Sequence, residues 1–288
     1  MAKQKEIAGR FFLKDDTLFP AKEFSEHFLK TGINVYEVIR VISSTPLFLE
    51  DHCKRFSNSL KGKGVEFDCA APKLKYNLEK LINENKLVTG NIKIVFHFQP
   101  AEKSFLIIYP VQHVYPSKDD YKFGVFTVSF EEERPDPEFK NWRPDFKARV
   151  KKLKKETGAY EIILVTHDGI ITEGSQSNLF FLKGDKVITA MSERILPGIT
   201  RKYVYEICKN LEIEIIERDF ALKDLENYDS AFISGTSPKI LPLNQIDEFR
   251  FDPVHPVLRR IMEEYEGDIR EYLYNYKRMR LSQKSERN

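Results

Sequence analysis

Three short stretches carry residue types and spacings that could do chemistry. Thr172-Glu173-Gly174-Ser175-Gln176-Ser177-Asn178 sets a carboxylate beside glycine, two hydroxyls and amides, then runs into the apolar pair Leu179-Phe180. Such a composition suggests a strand ending in a tight turn rich in hydrogen-bonding groups. Taken alone, it is equally well read as a polar hairpin between Glu161–Thr166 and Leu179–Leu182. Leu196-Pro197-Gly198-Ile199-Thr200-Arg201 is a Pro-Gly turn opening directly into a helical run to Asn210. A helix start presents N–H groups that lack helical acceptors, at the positive end of the dipole, and so suits a phosphate. Phe232-Ile233-Ser234-Gly235-Thr236-Ser237 is an apolar strand ending in small hydroxyl residues around glycine, a second anion-friendly loop. Three such loops in one region exceed what packing requires.

In order and separation as well as in letters, Glu173-Gly-Ser-Gln-Ser-Asn178-Leu-Phe, Leu196-Pro-Gly-Ile-Thr-Arg201 and Ser234-Gly-Thr236 resemble the class IV (fold type IV) pyridoxal-phosphate enzymes. That group holds branched-chain aminotransferases, D-amino acid aminotransferases and aminodeoxychorismate lyases. The resemblance runs from about Tyr36 to Arg259 and is specific for the cofactor but not for the reaction. It implies an α+β chain of two lobes, a small N-terminal α+β lobe and a larger, strand-dominated C-terminal lobe that binds pyridoxal 5'-phosphate.

Schiff-base chemistry needs an amine that is partly neutral, and burial beside a cofactor lowers a lysine's pKa in that direction. Lys140 and Lys147 both precede the Glu173 turn. Lys147, in Pro144-Asp-Phe-Lys147, is superficially similar to the Asp-x-Lys context of D-amino acid aminotransferases. In the family the lysine lies a full helix upstream of a Gly-Ala-Tyr-Glu-like strand start, here Gly158 to Glu161, and Lys140 leaves room for that helix. Choosing Lys147 would require deleting about two turns of ~3.6 residues each. Independently, Lys147, Arg149, Lys151, Lys152, Lys154 and Lys155 crowd one segment, so most of them face water. A solvated lysine keeps a pKa near ~10.4 and is a poor nucleophile. Lys140 is the expected tether, although without the neighbouring motifs it reads as an exposed loop lysine.

The same resemblance assigns the remaining roles. Glu173 faces the pyridine nitrogen and keeps it protonated. The Ile199 and Thr200 amides and the Thr236 hydroxyl and amide take the phosphate, with Arg55 of His52-Cys-Lys-Arg55-Phe as the small-lobe phosphate arginine. Leu196 packs on the ring and Asn178 holds the turn beneath it. On the substrate side stand Tyr36 and Arg40, in Asn34-Val-Tyr36-Glu-Val-Ile-Arg40, with Gly235 and Ser237. Read without the family, Glu173 is an exposed turn residue, Arg55 a helix-surface arginine, Tyr36 a packing residue and Arg40 a partner of Glu37 or Glu50. The Arg-Gly pair that traps D-amino acid carboxylates is missing; His97-Phe98-Gln99-Pro100 stands there, and Lys93 or His97 would have to substitute. The tyrosine that branched-chain enzymes carry after the lysine is also absent, with Asp145 in that neighbourhood.

The implied activity is amino transfer between an amino acid, branched-chain ones among the candidates, and a 2-oxo acid. The Tyr36-Glu37 context favours it over elimination from aminodeoxychorismate to 4-aminobenzoate and pyruvate. A rival from another class is a scaffold protein that keeps the fold without chemistry and docks an acidic partner on the Lys147–Lys155 helix. By family analogy a homodimer is expected.

Composition limits the alternatives. The 288 residues can bury a core of two lobes, and 46 basic against 44 acidic side chains leave a net charge of +2, which demands neither nucleic acid nor an anionic membrane. No apolar run reaches the length of a membrane span, and Met1-Ala-Lys-Gln-Lys lacks a signal-peptide core, so the expected location is the cytoplasm. Cys53, Cys69 and Cys208 are too few and too far apart for a disulfide framework or zinc site, and the histidines form no HExxH spacing.

The elements that must position these residues follow from periodicity. Strands are expected at Glu6–Phe12, Asn34–Ile42, Ile92–Phe98 and Phe105–Val111, the last two joined by a Pro100–Lys103 turn, with helices at Leu49–Lys61 and Leu74–Leu87. Pro116-Ser-Lys-Asp-Asp120 reads as the linker between lobes spanning 1–117 and 118–288. Beyond it, strands are expected at Phe123–Phe130, Glu161–Thr166, Ile170–Thr172, Asn178–Leu182, Lys186–Thr189, Glu212–Glu217 and Ser230–Ser234. Helices are expected at Asp145–Thr157, Ile199–Asn210, Leu222–Glu226 and Pro256–Tyr274, with a polar tail from Tyr276.

Overall fold

Alternating apolar residues in Ile33–Ile42 and Gly90–Phe98 build the centre of the first sheet in the computed structural model, which describes residues 6–67, 72–99 and 104–285. Its strands are β1 (Phe11–Lys14), β2 (Thr17–Pro20), β3 (Ile33–Ile42), β4 (Thr45–Pro46), β5 (Gly90–Phe98) and β6 (Phe105–Val111), in the order β2-β1-β6-β5-β3-β4. All neighbours are antiparallel, and β3 runs against β5 from Ile33↔Phe98 to Val41↔Gly90. One face, with Val35, Ile39, Ile92 and Ile94, is covered by α1 (Leu49–Lys61) through Cys53, Phe56 and Leu60 and by α2 (Pro72–Asn85) through Leu74, Leu78, Leu81 and Ile82. Those helical residues fall three or four apart, the stripe a core-facing helix needs. The other face carries Tyr36, Val95, Ile107 and Tyr109 against Phe12, Phe24, Leu29 and Trp142.

Two compact units result, one of the residues up to Val114 with Phe139–Pro144 and Asp268 onward, the other of Tyr115–Glu138 and Asp145–Gly267. This differs from a single cut after residue 117, because the lysine-bearing segment returns to the first unit. The reason is local pairing with β3: the Tyr36 amide donates to the Lys140 carbonyl at 3.2 Å, the Trp142 amide to the Asn34 carbonyl at 3.0 Å, and Asn141 bridges Val35. The chain first passes from one unit to the other at Val114/Tyr115, just before Pro116–Asp120. Ser117 and Asp120 form a reciprocal capping box that starts α3 (Lys118–Phe123), the Ser-x-x-Asp signature of a helix start.

The second unit holds β7 (Val125–Glu131), α4 (Pro144–Thr157), β8 (Glu161–Val165), β9 (Ile171–Gly174), β10 (Asn178–Lys183), β11 (Lys186–Thr189), α5 (Ile199–Asn210), β12 (Ile215–Glu217), β13 (Ser230–Gly235), β14 (Lys239–Ile246) and β15 (Phe249–Arg250). Its sheet runs β12-β11-β10-β13-β14-β7-β8-β9, with β15 on β14. Parallel pairs join β11 to β12, β14 to β7 and β7 to β8. α6 (Pro256–Ser285) closes the chain, so the polar tail is helical well past Tyr276. Near the start only Ile7 bridges Val111 and the strand begins at Phe11, and Glu212 sits at φ 57, which delays β12 to Ile215. The expected Pro100–Lys103 turn and Cys69 lie outside the described residues. Cys53 and Cys208 are buried thiols, and burial pushes Cys208 up to about 12.

Candidate active site

In the second unit, β9 delivers Glu173 into a buried turn, so the exposed-turn reading does not hold. The turn is closed by the Gly174 amide donating to the Ser177 carbonyl at 2.8 Å. The hydroxyls of Ser175 and Ser177 donate to the buried Glu161 carboxylate at 2.6 and 3.3 Å, and Lys154 Nζ stands 3.1 Å from it. Glu173 Oε2 accepts from the Leu196 amide at 3.1 Å and from Asn178 Nδ2 at 3.2 Å, and the same Nδ2 donates to the Leu196 carbonyl at 2.9 Å. One amide thus fixes the acid and the Leu196-Pro197-Gly198 turn to each other. Arg134 Nε lies 3.2 Å from Glu173 Oε1, and its Nη2 donates to the Ser175 carbonyl at 3.3 Å. Neither Arg134 nor Glu161 is among the residues expected from the sequence; a charge that close to a buried turn is visible only once the turn is folded.

The other end of that turn opens α5. Gly198 is its N-cap in an extended conformation with no side-chain cap, so the Ile199 and Thr200 amides sit in the first helical turn, where helices leave N–H groups without acceptors. The Thr200 hydroxyl lies 3.3 Å from that of Tyr265. Ser234 is the register partner of Asn178 across β10 and β13, which sets the Ser234-Gly235-Thr236-Ser237 loop beside the Glu173 turn. The Ser234 hydroxyl is buried with no hydrogen-bond partner among the described residues, while Thr236 is half-buried and Ser237 buried. The three loops named from the sequence therefore converge in one unit. A fixed acid, an uncapped helix start and an unsatisfied hydroxyl suit a ring with a basic nitrogen at one end and an anion at the other. Gly198 is essential to this cradle, since a Cβ there would run into Asn178 Oδ1. Gly198→Ala should force Asn178 aside, costing ~1–3 kcal/mol of stability as overpacking does. Titration with pyridoxal phosphate should show weaker binding, and thermal unfolding a lower Tm.

In the first unit, Lys140 is only 17% exposed rather than a solvated loop lysine. Its Nζ lies 4.0 Å from Glu37 Oε1 and 5.4 Å from the Tyr36 ring centre. Glu37 is fully buried and forked by Arg55, whose Nε donates to Oε2 at 2.8 Å and Nη2 to Oε1 at 2.6 Å, so Arg55 is not a helix-surface arginine. His52 Nδ1 is 3.3 Å from the same Oε1. Burial pushes the Glu37 carboxyl up, but the charges of Arg55, His52 and Lys140 outweigh it and hold the group well below the usual carboxylate range. Burial holds the His52 imidazole below its usual value despite Glu37. Arg40 is buried and, two residues on from Val38 in β3, shares the Tyr36 face. Lys147 is exposed on α4.

The two substitutes for a carboxylate trap are both engaged elsewhere. Lys93 Nζ pairs with Glu6 at 2.9 Å and lies 3.4 Å from the Trp142 ring centre, and His97 Nδ1 meets Asn34 Oδ1 at 3.0 Å while stacking on Phe105. Among the described residues no group of three His, Cys, Asp or Glu could hold a metal, and no helix is long and apolar enough to cross a membrane.

The family model for amino-transferase class IV matches residues 34–246. A D-alanine aminotransferase of Bacillus licheniformis is 26% identical over 229 residues, 75% of this chain and 80% of that protein. An aminodeoxychorismate lyase of Bacillus subtilis is 24% identical over 259 residues, covering 85% and 87%. The branched-chain aminotransferase of the archaeon Thermoproteus uzoniensis, solved with norvaline, superposes with a TM-score of 0.79 at 22% identity, covering 92% of this chain and 98% of that one. Another branched-chain enzyme of the same fold has been solved with pyridoxamine 5'-phosphate.

Proposed function

Since the chain belongs to the class IV aminotransferases, a family of pyridoxal-phosphate enzymes, we propose that it moves an amino group between an amino acid and a 2-oxo acid, with Lys140 as the residue that tethers the cofactor. The observation that supports this most is the Asn178 amide that locks Glu173 to the turn opening α5, because it fixes an acid and an anion-binding helix start at a set separation. When bound, pyridoxal phosphate supplies a protonated ring that takes up the electrons left as a proton leaves the substrate's α-carbon.

The chain's own residues do the rest. Glu173, held by two donors on one oxygen, would present its charge to the ring nitrogen and hold a proton there. Within the second unit the Ile199 and Thr200 amides and the Thr236 hydroxyl and amide would hold the phosphate, while Arg55 of the first unit has Nε and Nη2 committed to Glu37. Lys140 Nζ would tether the cofactor and, once free, would take up and return the proton of the substrate's α-carbon as general base and acid. Tyr36 and Arg40 of the first unit, and Gly235 and Ser237 on the second unit's Thr236 loop, are the proposed substrate-side residues. A homodimer belongs to this reading and is checked by measuring the mass in solution with light scattering.

The test is a panel of amino donors and 2-oxo acids assayed with purified protein, alongside pyruvate release from aminodeoxychorismate. Amino transfer that needs a 2-oxo acid acceptor, with branched-chain donors among the best, is the expected outcome. Pyruvate release without any acceptor would move the protein to the lyase branch, and a colourless protein indifferent to added pyridoxal phosphate would remove it from catalysis.

A further inference from the structure

The buried carboxylate at position 37 has no part in the roles above. It sits among two cationic side chains and an imidazole: Arg55 and His52 from α1, and Lys140 from the segment beside β3. Across the sheet its register partner is Ile94, which adds no charge. We propose that Glu37 is a positioning residue that couples the Arg55 guanidinium to the Lys140 amine and so sets the pH at which Lys140 gives up its proton. The inference rests on the reading of Lys140 as the tether.

The geometry separates this role from simple support of the fold. The lysine segment is fastened to β3 by backbone contacts, the Tyr36 amide to the Lys140 carbonyl and the Asn141 bridge to Val35. Its placement therefore does not depend on the Glu37 side chain. What Glu37 adds is charge in a buried setting, where an anion 4.0 Å from an amine favours the ammonium. Both carboxylate oxygens are already bonded by Arg55, and Oε1 accepts from the Val38 amide at 2.8 Å, so the anion is held in one orientation. With Glu37 made neutral, Lys140 faces the Arg55 charge without the intervening anion, and its neutral form gains on both counts.

The experiment uses the full chain stripped of cofactor and trace-labelled with acetic anhydride across a pH series, with mass spectrometry of the peptides carrying Lys140 and Lys147. In Glu37→Gln the labelling midpoint of Lys140 should fall by about one pH unit, the lower end of the effect of a charge within ~4–6 Å. Labelling near neutral pH should rise several-fold. The Lys147 profile should not move, because that residue is exposed on α4. Glu37→Asp, with a shorter reach, should fall between the two. A Lys140 midpoint in Glu37→Gln equal to wild type, in folded protein, overturns the proposal. Should Glu37→Gln fail to fold, Glu37→Asp decides: a lowered midpoint supports the coupling and a wild-type midpoint overturns it. Borohydride fixation of pyridoxal phosphate to wild-type Lys140 tests the underlying tether separately, since the labelling shift is read without cofactor.

Discussion

Lys140→Ala should reduce turnover by at least about 10³-fold, within the range by which positioned general acids and bases act, while leaving the fold intact. The side chain does not hold its segment in place; the Lys140 carbonyl does, through the Tyr36 amide, and that bond survives truncation. What is lost is an amine that the first unit sets against Tyr36 and Glu37 at once. Pyridoxal phosphate should still bind, through the phosphate and ring-nitrogen contacts, but should wash out on dialysis and no longer be fixed by borohydride. Lys140→Arg should be as inactive, because a guanidinium stays charged and cannot serve as the nucleophile. Steady-state kinetics against a thermal melt checks this, and a variant retaining a tenth of wild-type turnover would contradict it.

Glu173→Gln should lower turnover by about 10²–10³-fold, comparable to losing one preorganised electrostatic contact in an active site, with the cofactor still bound. The amide oxygen of Gln can accept from both Leu196 and Asn178, so the turn and the α5 start keep their geometry. Only the charge disappears, and the ring nitrogen then lacks the anion that keeps it protonated. Arg134, 3.2 Å from the acid, makes the loss larger, because its guanidinium is then left beside an uncharged amide. Cofactor titration should show binding retained while kcat falls; unchanged kcat would remove Glu173 from the reaction.

The loops of the second unit are legible in the sequence because their chemistry is local. A Pro-Gly turn before an amphipathic run announces α5, and small hydroxyls after Phe232-Ile233 announce the end of β13. The strand at Ile92–Phe98 follows from simple alternation and that at Asn34–Ile42 from its Val, Ile and Tyr content, and they lie within β5 and β3. The misreadings have physical causes too. The start of α3 within Pro116–Asp120 is missed because a capping box and a linker share the same polar letters. β14 escapes notice because Pro242 and the pair Asn244-Gln245 interrupt its apolar run, although Lys239–Ile246 is paired on both sides by β13 and β7. Arg134 and Glu161 cannot be singled out, and Glu37 and His52 enter only as letters of neighbouring motifs, since their importance lies in burial against opposite charge. Periodicity reports which way a residue points and is silent on which charge waits there.

The central claim is that one particular amine holds pyridoxal phosphate. The most direct measurement is to load the wild-type protein with pyridoxal phosphate, reduce it with borohydride, digest it and locate the added phosphopyridoxyl group by mass spectrometry. The group is expected on Lys140 alone; finding it on Lys147, or on no lysine at all, would contradict the assignment of Lys140 as the tether.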